Sequence, residues 1–183
     1  VSKRKADIVS DAMRQRLASN RNGVIATDQW LDLVTEPLVV LLLVVAPAMV
    51  VLGPRFSAFA VSLRLPFLLL LGFLAIVVPI LLRARRYARA PIHFDVLYAD
   101  QNIVAPLMFW RKQRFETKSG EPISFSKRLS PPMFFRPGYA YLVYYLEDGD
   151  QNVMLSVAPA DHADAEHWMP TKSFEMRQRR RAR

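Results

Sequence analysis

The sequence predicts an α+β membrane protein: a transmembrane helical hairpin followed by a small antiparallel β-barrel of the oligonucleotide-binding-like class, held as a cytosolic domain. Three observations predict it. Two apolar stretches, residues 38–52 and 65–82, contain no ionisable side chain. Arginine and lysine crowd both outer flanks of that pair, whereas the connecting segment has only Arg55 and Arg64. Beyond Pro91 the pattern changes to short runs rich in aromatic and β-branched residues, separated by turn-forming clusters.

The expected hairpin occupies residues 28–90, with spans at about 31–53 and 63–83. A helix needs roughly 20 apolar residues to cross a hydrocarbon core of about 30 Å, and each stretch reaches this with its apolar neighbours. Pro47 and Pro79 lie inside the spans and bend them mildly where the ring removes a backbone donor. The positive-inside rule then gives a multi-pass protein of the inner membrane with both termini cytoplasmic and the lipid bilayer as a partner. Trp30, Arg83, Arg85 and Arg86 are the membrane-interface candidates. No ionisable group sits mid-span, which argues against transport by this chain alone. No cleavable signal peptide is expected, because the first apolar run begins only after some 30 residues.

The net charge of +9 is unevenly distributed over the 183 residues. Residues 1–30 carry +3, residues 31–90 carry +4, residues 91–170 carry −3 and residues 171–183 carry +5. The basic charge therefore belongs to the flanks and the tail, and the β region is mildly acidic. With no cysteine, disulfides and thiolate chemistry are excluded.

Within the N-terminal segment 1–22, Ile8, Val9, Ala12, Met13 and Leu17 gather on one face of an amphipathic helix. That face suits either an anionic interface or the protein's own domain. Asn22 and Gly23 end the helix, and Thr27 or Asp28 can cap the next.

Residues 91–158 read as the β domain. Strands are expected near 93–98, 103–109, 114–117, 122–125, 139–146 and 152–157, with Glu147-Asp148-Gly149-Asp150 turning the last two into a hairpin. The run from Tyr139 is apolar or aromatic on both faces, as in a strand covered on both sides. Residues 159–183 read as a short helix and a basic tail.

Gly138, Tyr141, Val143, Tyr144, Tyr145 and Leu146, followed by Leu155, Ser156 and Pro159, span about 22 residues of this hairpin. The segment resembles the closing hairpin of small barrel domains in uncharacterised bacterial two-span membrane proteins. The resemblance implies a barrel fold and brings no activity, substrate or catalytic residue with it.

No catalytic residue, metal site or cofactor is indicated. Asp161, His162, Asp164, Glu166 and His167 are the one cluster with metal-ligand chemistry; His162 and Glu166 would share a helical face, but a matching third ligand is missing. The proline-aromatic run 130–138 either presents its rings to a partner or plugs the barrel end. Phe134, Phe135, Arg136, Tyr139, Tyr141 and Tyr145 are the partner or interface candidates. Arg111, Lys112, Arg114 and Lys118, interleaved with aromatic residues, and Arg179, Arg180 and Arg181 in the tail are the anionic-ligand candidates. The acidic balance of the β region argues against nucleic acid, which requires a broad positive field.

These observations lead to a non-enzymatic interaction or scaffold protein, whose β domain binds a protein partner or a second copy in a larger assembly. A binder of anionic lipid or nucleic acid is the alternative, and an enzyme using His162, Glu166 and His167 is a further one.

Overall fold

A computed structural model describes residues 9–34, 64–100, 113–131, 133–149 and 151–181, with side chains of the second segment described from residue 72. The elements in chain order are α1 (Asp11–Asn20), a helical stretch α2 over residues 27–34, α3 (Arg64–Arg89), β1 (Ile92–Ala99), β2 (Gln113–Glu116), β3 (Pro122–Arg128), β4 (Ala140–Asp148), β5 (Gln151–Pro159), a single 3-10 turn (Ala165–Trp168) and α4 (Lys172–Arg181). The chain divides into two compact units, Val1–Gln29 with Arg89–Arg183, and Trp30–Ala88.

The first unit is built on a closed barrel in the order β1-β2-β3-β5-β4, so the expected barrel is present. Its wall differs from the all-antiparallel expectation at one seam, because β3 runs parallel to β5. That seam follows from chain order: β4 lies between β3 and β5 in sequence and reverses direction to form its hairpin with β5. Asp148 pairs with Gln151 across the tip, and Gly149 takes a φ of 62°, the left-handed conformation that a two-residue hairpin turn demands. The expected strand near residues 103–109 lies outside the described residues.

β4 is buried on both faces, as its double-sided apolar pattern predicts. Tyr141, Val143 and Tyr145 face inward, where Phe115, Phe125 and Tyr141 or Tyr145 meet edge to face at centroid distances of 5.5–6.4 Å. Tyr144 faces outward beneath the protein's own helices. Its ring packs at 5.9 Å on Phe174 of α4, and its hydroxyl donates to the Trp168 carbonyl at 2.7 Å. α1 covers the outer side of β5, burying Val9, Met13 and Leu17. Ser10 caps this helix by accepting the Met13 N–H, so α1 begins at Asp11. Asn20 and Gln29 are fully buried and reach the barrel through Ser156 Oγ (2.8 Å) and the Leu155 carbonyl (2.7 Å).

The transmembrane hairpin is corrected. Among the described residues, no helix is long and apolar enough to cross a membrane. Most of the first expected span, residues 35–53, lies outside the described residues. The second falls in α3, whose last turns carry Arg83, Arg85, Arg86 and Arg89. The membrane, transmembrane and two-span reading is therefore overturned for the described helices. With it goes the expected multi-pass inner-membrane localisation with two cytoplasmic termini.

Candidate functional site

The segment between β3 and β4 has too little regular structure to satisfy its own backbone, so side chains satisfy it. Arg128, at the end of β3, donates from Nε to Ser130 Oγ at 2.6 Å, from Nη2 to the Pro131 carbonyl at 2.5 Å and from Nη1 to the Met133 carbonyl at 3.4 Å. Its guanidinium lies 4.8 Å from the centroid of Phe135. A planar fork with five donors can tie three acceptors and stack on a ring at once; an ammonium cannot. Burial lowers the Arg128 pKa to about 10, since desolvation disfavours its charged form.

Phe135 closes the barrel end, meeting Phe115 and Tyr141 edge to face at 5.1 Å each. The next residue, Arg136, donates its backbone N–H to the Tyr141 hydroxyl at 2.7 Å. Arg136-Pro137-Gly138-Tyr139 then forms a turn closed by the Tyr139 N–H on the Arg136 carbonyl at 3.2 Å. Proline at the second position and glycine at the third, with φ of 73°, are the residues that a type II turn requires. Gly138 N–H also donates to the Ala99 carbonyl at 2.9 Å, which fastens the turn to β1.

The loop is thus held at both ends, and between them Phe134 is 81% exposed. Tyr139 is 48% exposed, and the guanidinium of Arg136 lies 5.7 Å from its ring centroid. Aromatic residues and arginine are the types enriched at protein interfaces.

The six interface candidates therefore divide. Phe134, Arg136 and Tyr139 reach the surface, whereas Phe135 plugs the barrel and Tyr141 and Tyr145 are buried inside it. Tyr145 donates its hydroxyl to Asp95 Oδ2 at 2.7 Å, and burial followed by this bond raises its pKa. Of the two adjacent phenylalanines, Phe135 plugs the barrel end and Phe134 is exposed.

The anionic-ligand candidates are dispersed. Arg111 and Lys112 lie outside the described residues; Arg114 is exposed on β2, Lys118 on the β2–β3 turn, and Arg179 and Arg180 on α4, which also includes Arg181. Of the membrane-interface candidates, Trp30 is half-buried in α2, Arg85 and Arg86 are exposed on α3, and the guanidinium of Arg83 lies 5.8 Å from the Tyr87 ring. His162 and Glu166 share no helical face, because only Ala165–Trp168 forms a turn there. His162 instead accepts the Asp164 N–H at Nδ1 and packs at 4.7 Å on Trp168. Among the described residues, no group of His, Cys, Asp and Glu is placed to hold a metal ion.

Arg128 is the residue that sequence reasoning missed. The signal for it was an arginine two residues before Ser130-Pro131-Pro132, a run whose carbonyls lack regular partners. Among the described residues, the first unit is a small closed five-stranded barrel with helices packed on it. Comparison with protein-family models, curated proteins and solved structures finds no match for the chain.

Proposed function

We propose that the chain is a non-enzymatic interaction module, and that its barrel presents Phe134, Arg136 and Tyr139 to a protein partner in a larger assembly. The observation that carries this reading is the 81% exposure of Phe134 on a loop tied down on either side. A large apolar ring on a mobile tip would lose ordering entropy on binding. A ring on a pinned loop has already lost much of it, so burial against a partner is favoured.

Site-specific photocrosslinking in the native host tests the reading. With a benzophenone amino acid at position 134, a discrete adduct of one mass is expected, and Tyr139→Ala in the same chain should reduce it at least tenfold. The exposed position 176 on α4 serves as the control. Equal labelling at positions 134 and 176, or an adduct unaffected by Tyr139→Ala, would sink the proposal.

A further inference from the structure

We infer that the first half of β1 is a docking edge for a partner segment in extended conformation, which adds to the barrel wall as a further strand. The inference is independent of the loop surface.

Its basis is the direction of the backbone groups. Ala99 donates its N–H to the Tyr139 carbonyl at 3.1 Å and accepts the Gly138 N–H at 2.9 Å, so both of its groups face the β4 side. Hydrogen-bonding direction alternates along a strand. Leu97, Asp95 and His93 therefore also face β4, with which they are in register, and Ile92, Phe94, Val96 and Tyr98 face the other way. On that other side β2 meets β1 only at Tyr98 and Ala99. Among the described residues, no strand pairs there with Phe94 or Val96. α4 confirms the direction, because Gln178 Nε2 donates to the Ile92 carbonyl and occupies one place in the row.

A cavity of about 440 Å³ lies beside this edge, between His93, Phe94 and Asp95 on one wall and Phe174, Glu175 and Gln178 on the other. Three consecutive β1 residues line it although their side chains alternate between the faces, and the edge of a strand is where both kinds meet. An added strand sits about 4.8 Å from its neighbour, and alternate N–H and C=O groups at strand spacing are matched by an extended backbone. α4 stands alongside as the far wall. Asp95 and Glu175 outnumber Arg179 on the walls, so a basic side chain on the incoming segment is favoured.

A displayed library of random dodecapeptides, selected on the full chain, tests the inference. Enriched peptides should carry lysine or arginine, and the synthetic peptides should slow amide exchange of Phe94 and Val96. Methylation of alternate peptide nitrogens should weaken binding at least tenfold. Val96→Pro, which removes only an outward N–H, should abolish binding. Gln178→Trp, which fills the groove from α4 and leaves the Phe94 and Val96 backbone groups in place while removing the partner of the Ile92 carbonyl, guards against misfolding of the first variant and should do the same. Phe134→Ala should leave binding unchanged, which separates this inference from the loop proposal. Absence of any enriched peptide, or binding indifferent to N-methylation, would overturn it. So would slow exchange of the Phe94 and Val96 amides in the chain without peptide, or a concentration-dependent dimer that protects them.

Discussion

The two ends of the barrel solve opposite problems. At the end where β1 finishes and β4 begins, an irregular loop is over-determined: Arg128 ties its first carbonyls, Phe135 plugs the wall and a type II turn anchors its exit to β1. At the other end β1 runs on past its two-residue pairing with β2, and no strand among the described residues continues that pairing. There polar groups enter the wall: Tyr145 bonds Asp95, and His93 stacks at 5.3 Å on Tyr145 and lies 3.2 Å from Glu147. In the irregular segment side-chain hydrogen bonds replace a ladder, whereas along the β1 edge the described residues supply one such bond, from Gln178 to Ile92.

Removing the ring on which the plug packs should have the largest effect. Phe115→Ala deletes the ring that meets Phe125, Phe135 and Tyr141 together, and a loss of about 3–5 kcal/mol in denaturant unfolding is expected. A loss below about 1 kcal/mol would mean that the loop end is not a packed unit. Arg128→Ala follows, costing about 1–3 kcal/mol because three acceptors lose their donor. Amide exchange should quicken in residues 133–139 and stay unchanged in β1 if the two ends are independent. Arg128→Lys should recover only part of the loss, since the fork is missing.

Gly138→Ala probes the turn alone. Nothing lies within 4 Å of the added methyl, so the expected cost of about 1–2 kcal/mol is purely the left-handed backbone at φ 73°. A neutral result would show that the turn can be rebuilt without a positive φ.

The opposite end should betray itself by pH. Burial raises the Tyr145 pKa, with the Asp95 hydrogen bond adding to it, and burial likewise raises that of Tyr144. In the unfolded chain a phenol ionises near pH 10. The folded state then keeps protons that the unfolded state has lost, so this stability is fully present below about pH 10 and declines as pH rises above it. Tyr145→Phe should flatten that decline in thermal unfolding followed against pH; a decline equally steep in the variant would detach it from Tyr145. Phe134→Ala should do least, within about 0.5 kcal/mol, because its ring is mostly in water.

Much of the barrel was legible from local chemistry. The alternating aromatic run of β4, the Asp148-Gly149 turn and the short strands on either side predict a small barrel without any long-range information. The membrane hairpin is the reading overturned for the described helices: a window of apolar residues reports hydropathy alone. For the loop, composition marked residues 130–138 as a surface but could not divide Phe134 from Phe135. Adjacent residues of one type are indistinguishable until a neighbour such as Phe115 or Arg128 claims one of them.

By itself, then, the sequence determined the strands, their turns, the acidic balance of the β region and the absence of thiol chemistry, because each depends on residue type and near-neighbour spacing. Only the tertiary structure decided the parallel β3–β5 seam, the exposure of Phe134 and the two-residue reach of the β1–β2 pairing among the described residues. Those features depend on which distant segments come together, and on which backbone groups the closure of the barrel leaves over.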